Sequence, residues 1–188
     1  MASPAELTYA GERVLDAAAR LFYRRGINAV GVAEIAAEAG VTKKTLYQQF
    51  GSKDALVLSY LGARDQRWWD NIEHRLAGAP RPRALVVFDA YLEHPDGEVH
   101  RGCALLNAAV ELPLEHPGVT LIADHKSRLL RCLTALIAED RPDLDQTASA
   151  ERAEHVFLLL EGANAHLRLG GRLHTDRARE LAASILTG

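Results

Sequence analysis

The segment from residue 42 to residue 53 carries side chains that can bind a polyanion. Three of the four lysines in the chain lie here, among hydroxyl, phenol and amide groups. The set consists of Thr42, Lys43, Lys44, Thr45, Tyr47, Gln48 and Lys53. These groups are typical donors to the phosphates and base edges of DNA. A solvated polar helix face has the same composition, so the surrounding elements must decide between the two interpretations.

The residues before and within this segment have the spacing of a helix-turn-helix. Ala36 lies four positions before Gly40, and Leu46 lies six positions after it. A small residue lets two helices approach, a glycine takes the sharp turn, and the later apolar residue packs the second helix onto the first. The spacing predicts that the second helix buries Leu46 and leaves its polar face free for the major groove.

Composition favours a folded, all-helical chain of one or two domains. The 188 residues carry 22 basic and 25 acidic side chains, and 48% of them are apolar, which is unlike a disordered protein. No apolar run is long enough for a membrane span or a signal peptide, so we expect a cytoplasmic protein without a membrane partner.

Apolar periodicity and helix stop signals divide the chain into nine predicted helices. A first helix over about 8–25 is followed by two short helices, and Ser52 can cap a long fourth helix that ends in the Gly78–Pro82 segment. The remaining helices are predicted over about 82–94, 101–112, 117–139, 148–169 and 174–187.

The residues around the helix-turn-helix resemble the amino-terminal signature of the TetR family of transcriptional regulators. They read E-I-A-A-E-A-G and then V-T-K-K-T-L-Y-Q-Q-F-G-S-K-D-A-L over 41–56, after R-V-L-D-A-A-A-R-L-F in the first helix. The resemblance covers about residues 10–60. It implies a three-helix DNA-binding domain, residues 1–53, joined through the long helix 4 to a helical effector-binding and dimerisation domain, residues 54–188.

Carried over to this chain, the resemblance makes Thr42 to Gln48 the recognition helix. Lys53 is similar to the family's phosphate-clamping lysine, in the first turn of a helix whose dipole favours an anion. Gly31 and Val32 stand where the family often has hydroxyl residues, which counts against phosphate contacts from helix 2. The implied function is a repressor that leaves a palindromic double-stranded DNA operator when an unknown small-molecule effector binds. One alternative is an activator or ligand-independent regulator with the same DNA-binding head, residues 1–53. The other is a helical ligand-binding or enzymatic protein.

Helix 8 is apolar around too much of its circumference for a helix with one buried face. The run from Val156 to Leu160 predicts that it packs both on helix 9 and on a second copy of the chain. A homodimer would read a palindrome; the alternative is a helix deeply buried within one chain. Candidate interface residues are Phe157, Leu160, Ala163, Leu181 and Ile185.

Polar residues in apolar helices, with aromatic residues that can form flat walls, are candidates for the effector pocket. They are Trp68, Phe88, Tyr91, Cys103, Asn107, Glu111, His125, Glu161 and Asn164. Each is equally compatible with an internal hydrogen bond or a core position. The eight histidines and two cysteines lack metal-ligand spacing, and no catalytic motif is present. We therefore expect no metal, no cofactor and no enzymatic activity.

Overall fold

The computed structural model describes residues 7–93, 102–167 and 172–188, which form nine α-helices and no strand. The all-α prediction is confirmed for this part of the chain. The helices are α1 Tyr9–Arg25, α2 Val32–Glu38, α3 Lys43–Phe50, α4 Lys53–Leu76, α5 Arg83–Leu92, α6 Ala104–Glu111, α7 Pro117–Asp140, α8 Gln146–Leu167 and α9 Arg172–Thr187. None of these described helices combines the length and apolar character that a bilayer crossing requires.

Side-chain caps explain where several helices begin. Thr8 caps α1 by accepting a hydrogen bond from Gly11 N at 3.2 Å. Ser52 Oγ accepts from Ala55 N at 3.0 Å, which confirms Ser52 as the cap of α4. α8 begins before its predicted start because the Asp145 carboxylate accepts a hydrogen bond from Ala148 N at 2.8 Å. The predicted helix limits within 94–101 and 168–171 lie outside the described residues.

The chain divides into two compact units. The first contains the chain through Asp65 together with Ala104–Ile122, and the second contains Gln66–Cys103 together with the chain from Ala123 onward. α4 and α7 each contribute to both units, and α6 belongs to the unit that contains α1 to α3. The boundary at residue 53 remains a prediction.

The first unit is built on the helix-turn-helix. α1, α2 and α3 all contact one another. Their apolar faces bury Val14, Phe22, Ile35 and Leu46, and the ring of Phe22 lies 5.6 Å from that of Tyr60 on α4. Periodic apolar side chains thus bury one face of each short helix and leave the opposite faces to solvent.

The second unit surrounds a core formed by α4, α5, α7, α8 and α9. Its buried side chains include Trp69, Ile72, Val87, Phe88, Leu129, Leu133, Val156, Leu160, Ala182 and Leu186. The buried Asp140 carboxylate accepts from Arg83 N at 2.7 Å and from Arg83 Nε at 2.8 Å, so it fastens the start of α5 to the end of α7. Arg179 on α9 forms a two-point pair with Asp89 on α5 at 2.6 and 2.8 Å.

Candidate nucleic-acid interface

The turn between α2 and α3 has the geometry that the sequence predicts. Gly40 adopts a positive φ of 62°, and Val41 N donates to Ala36 O at 2.9 Å across the turn. Ala36 is buried, as a close approach of two helices requires. The positive φ favours glycine here, because other residues rarely adopt it; the nearby Arg13 guanidinium is the end of an exposed, flexible side chain and adds no firm steric limit.

α3 has one buried face and one exposed polar face. Leu46 is fully buried, whereas Lys43, Lys44, Tyr47 and Gln48 are exposed, with Tyr47 at 45%. Residues four apart lie on the same side of a helix, so the Lys43–Tyr47 and Lys44–Gln48 pairs form a continuous surface. Neither lysine forms an ion pair within the part of the chain that the structure describes. Their ammonium groups are available to an external anion.

The two threonines at the start of α3 are used within the helix. Thr42 Oγ1 accepts from Thr45 N at 3.1 Å, and the two hydroxyl oxygens lie 2.9 Å apart. Thr42 therefore caps α3 and satisfies one of its unpaired amide groups. Both residues lie at the candidate surface, but their first role is to fix where α3 begins.

Lys53 is placed differently from the two lysines of α3. It is half-buried, and its Nζ donates a hydrogen bond of 2.7 Å to the carbonyl oxygen of Ile27, in the segment between α1 and α2. An ammonium group has three protons, so this bond leaves donors for a phosphate. Lys53 thus holds the α1–α2 connection while lying in the first turn of α4.

Gln49 is a positioning residue whose partner the sequence alone did not identify. Its Oε1 accepts from Thr8 Oγ1 at 2.7 Å, so the last turn of α3 is tied to the cap of α1. The two residues are 41 positions apart, and no local pattern signals their contact.

The predicted pocket residues separate into two groups, one in each unit. Seven of them lie in the second unit: Trp68, Phe88, Tyr91, Cys103, His125, Glu161 and Asn164. Phe88 is fully buried in the apolar core, and Asn164 Oδ1 accepts from Cys103 N at 3.1 Å. Trp68, Tyr91, His125 and Glu161 lie in one aromatic and polar cluster.

Asn107 and Glu111 lie in the first unit instead. They line a cavity of about 10 Å³, room for a single water molecule, beside Tyr23, Ile27 and Tyr60. Glu111 Oε2 accepts from Asn28 N at 2.9 Å, and Asn28 Nδ2 donates to the Glu111 carbonyl at 2.9 Å. These bonds fasten the end of α6 to the α1–α2 connection.

The predicted dimer residues differ in exposure. Leu160 and Ala163 are covered by the helices of their own chain, at 0% and 3% exposure. Phe157 and Ile185 are half-buried, and Leu181 is exposed. Leu158, which the sequence did not single out, is 66% exposed and lies on the solvent side of α8. Within the run from Val156 to Leu160, only the structure separates the core side of the helix from the open side.

Known proteins are similar to this one both in the helix-turn-helix region and over nearly the full length of the chain. Residues 14–60 match the model of the family described as bacterial regulatory proteins, tetR family. The fold is similar to that of a TetR-family transcriptional regulator from Streptomyces coelicolor, with a TM-score of 0.85, 30% identity and 94% coverage of each chain.

Two curated relatives match a shorter region. The uncharacterized HTH-type transcriptional regulator YerO of Bacillus subtilis is 36% identical over 94 residues, 45% of this chain and 32% of YerO. The HTH-type transcriptional activator FasR of Mycolicibacterium smegmatis is 47% identical over 91 residues, 44% of this chain and 40% of FasR. The matched segments therefore cover well under half of the length of these relatives.

The described residues form helices and no strand, and α2 and α3 form a helix-turn-helix whose second helix exposes lysine, tyrosine and glutamine. These features place the chain in the helix-turn-helix class of proteins. The family model covers this helix-turn-helix, and the Streptomyces coelicolor structure matches nearly the whole chain. The chain belongs to the TetR family of bacterial regulatory proteins.

Proposed function

We propose that this protein is a DNA-binding transcriptional regulator that reads duplex DNA with α3. The observation that carries this proposal is the exposed face of Lys43, Lys44, Tyr47 and Gln48, backed by the buried Leu46. A helix of this kind fits the major groove, where lysine donates to guanine or phosphate and glutamine pairs with adenine.

Phosphate contacts place the reading helix on the duplex. Lys53 lies in the first turn of α4, where the dipole and the unpaired amide groups favour an anion. The start of α2 has no hydroxyl cap, since Gly31 occupies the cap position, and Glu34 pairs with Arg25. We therefore assign phosphate binding to Lys53 and the lysines of α3, and not to α2.

The protein acts as a homodimer in this proposal. One short helix reads few base pairs, whereas a two-fold pair reads a palindrome whose half-sites lie about one helical turn, ~34 Å, apart. Leu158 and Leu181 are large apolar side chains exposed on α8 and α9, and Phe157 and Ile185 lie half-buried on the same helices. These four residues form the proposed interface, since Leu160 and Ala163 are enclosed within the protomer.

A small-molecule effector controls the regulator, and a repressor released by the effector is the form we propose first. The aromatic and polar cluster of the second unit supports an effector site there. A regulator of chromosomal genes works in the cytoplasm and needs neither an enzymatic activity nor a cofactor. With this function we therefore propose a cytoplasmic location and a non-enzymatic protein without a cofactor.

Activation is the second candidate. The similarity to FasR, described as a transcriptional activator, supports this candidate. That similarity extends over 91 residues of the alignment. Transcription in vitro from a promoter that carries the selected operator, with and without the protein, separates repression from activation.

Selection of duplexes from a random pool tests DNA reading directly. We expect the purified chain to recover a palindrome and to bind it with steep salt dependence, about 0.9 in the logarithmic slope for each phosphate contact. A pool without enrichment, together with binding that does not depend on salt, would instead favour a helical ligand-binding or enzymatic protein.

A further inference from the structure

The second unit contains a cluster in which four helices bring aromatic rings and charged groups together. Trp68 and Trp69 come from α4, Tyr91 from α5, Lys126 from α7 and Glu161 from α8. Trp68 is central among the rings, with centroids 4.6 Å from Trp69 and 5.9 Å from Tyr91, and 5.0 Å from His125 on α7. Trp68 is half-buried and so reaches solvent, whereas Trp69, Tyr91 and His125 are buried.

An internal ion pair lies beside these rings. Lys126 Nζ lies 2.5 Å from Glu161 Oε1, and the two side chains are 18% and 22% exposed. The same ammonium group contacts Tyr91 Oη, which in turn donates to Glu161 Oε1 at 3.0 Å. Burial, followed by the neighbouring Cys103 and Glu161, raises the pKa of Tyr91, so its hydroxyl stays neutral and remains a donor. One carboxylate oxygen thus receives two donors.

One buried donor of the cluster lacks an acceptor. The Nε1–H of Trp69 is buried and has no hydrogen-bond partner among the described residues. Buried donors in native proteins are nearly always satisfied, so an unsatisfied indole N–H indicates a missing acceptor. Arg128 lies over the same ring, with its guanidinium carbon 3.9 Å from the Trp69 centroid, and it also pairs with Glu73 at 3.6 Å.

We propose that this cluster binds an aromatic carboxylic acid, whose carboxylate replaces that of Glu161 on Lys126 and Tyr91 and whose ring lies against Trp68. This inference deepens the proposed function, on which its regulatory meaning rests, by naming the chemical class of the effector. An acid supplies the acceptor that the cluster lacks and a flat apolar surface for its rings.

The exchange has a direct consequence for α8. Glu161 loses its partners when the acid binds, and it lies one helical turn from Phe157 and Leu158 of the proposed dimer interface. Binding therefore acts on the helix that positions two protomers on a palindrome. An effector shifts such an equilibrium only through contacts that differ between the two states, and the loss of the Lys126–Glu161 pair is such a difference.

Titration calorimetry of the full chain with matched probes tests the proposal. The acids are phenylacetate, trans-cinnamate and 1-naphthoate, the neutral control is phenylacetamide, and the cationic control is benzyltrimethylammonium. We expect at least one acid to bind and both controls to bind at least tenfold more weakly. The chain has two tryptophans, and both lie in the cluster, so a change of tryptophan emission with phenylacetate places the ligand there. Binding by none of the acids overturns the proposal.

Variants distinguish binding of an acid by Lys126 from binding of a cation by the Glu161 carboxylate. Lys126→Met should weaken acid binding about tenfold to a hundredfold, because a charged hydrogen-bonding partner is lost. Glu161→Gln should preserve or tighten it, because the internal competitor is removed. Trp69→Phe keeps an aromatic ring and removes only the N–H, so a loss of about threefold to tenfold is expected. Arg131→Met, an exposed position on α7, is the control for lost positive charge.

The opposite pattern overturns the proposal: tight binding of benzyltrimethylammonium that Glu161→Gln abolishes. Thermal melting of each variant establishes that it is folded, and Trp69→Phe provides a second test should Lys126→Met fail to fold. Acid binding is measured without DNA. Duplex binding without acid binding would overturn this inference alone, whereas acid binding without duplex binding would overturn the regulator function.

Discussion

The lysines of the head differ in what their ammonium groups contact. Lys44 is exposed and forms no ion pair with a described residue, whereas Lys53 Nζ donates to Ile27 O at 2.7 Å. We predict that Lys44→Met lowers the salt slope of duplex binding by about 0.9 and leaves the melting temperature unchanged. Lys53→Met should lower the same slope and also destabilise the fold by about 1 kcal/mol. Salt titrations and thermal melts of both variants check this; an unchanged slope for Lys53→Met would remove Lys53 from the phosphate contacts.

Local chemistry made some of these residues predictable and others not. The capping roles of Thr42 and Ser52 could be predicted because a hydroxyl residue before a helix binds that helix's own first amide groups. Donor and acceptor are only three residues apart in the sequence. Gln49 and Glu111 could not, because their partners Thr8 and Asn28 lie 41 and 83 positions away. Glu111 was predicted for an effector pocket on its polar character alone, and the structure places it against the head.

At the scale of elements, α6 is the helix that fastens the α1–α2 connection. Glu111 accepts from Asn28 N, and a Cβ added at Gly26 would lie only 2.8 Å from a Glu111 carboxylate oxygen. We predict that Glu111→Ala lowers the free energy of unfolding by about 1 kcal/mol and weakens operator binding, because the connection that also holds Lys53 is loosened. Glu115→Ala, an exposed acidic residue after α6, is the matched control. Denaturant unfolding and duplex titration check both; equal behaviour of the two variants would mean that the α6 contact carries no stability.

Helix positions followed from apolar periodicity and stop signals, but the orientation of α8 did not. Five consecutive apolar residues give no single hydrophobic face, so periodicity could not show that Val156 and Leu160 point into the core while Leu158 points out. That division depends on α9, the next helix along the chain, and on α5, which packs against α8 from a distant part of the sequence. The structure is therefore needed to tell a core residue from an interface residue here.

For the whole molecule, the proposed function depends on a surface that a single chain leaves open. Leu158 and Leu181 are 66% and 43% exposed, and Gly162 and Ala165 continue the exposed side of α8 with small residues that let another helix approach. Burial of exposed leucine side chains contributes about 1.5–3 kcal/mol each when burial is complete, and a two-fold axis doubles the number of such contacts. In the proposed dimer, burial of the open surface of α8 and α9 would supply the association energy that Leu160, already buried within the protomer, does not supply.

We therefore predict that Leu158→Glu and Leu181→Glu convert the dimer to monomers that remain folded. Operator affinity should fall about a hundredfold or more, because the two reading helices no longer bind as a linked pair. Leu114→Glu is the matched control, since Leu114 is 83% exposed and lies between α6 and α7, outside the proposed interface; it should stay dimeric. Leu160→Asp should unfold the protomer instead, because it buries a charge in the core. Light scattering after gel filtration measures the molar mass of each variant, and duplex titration measures its operator affinity. A Leu158→Glu, Leu181→Glu double variant that remains a dimer of normal operator affinity would place the interface elsewhere.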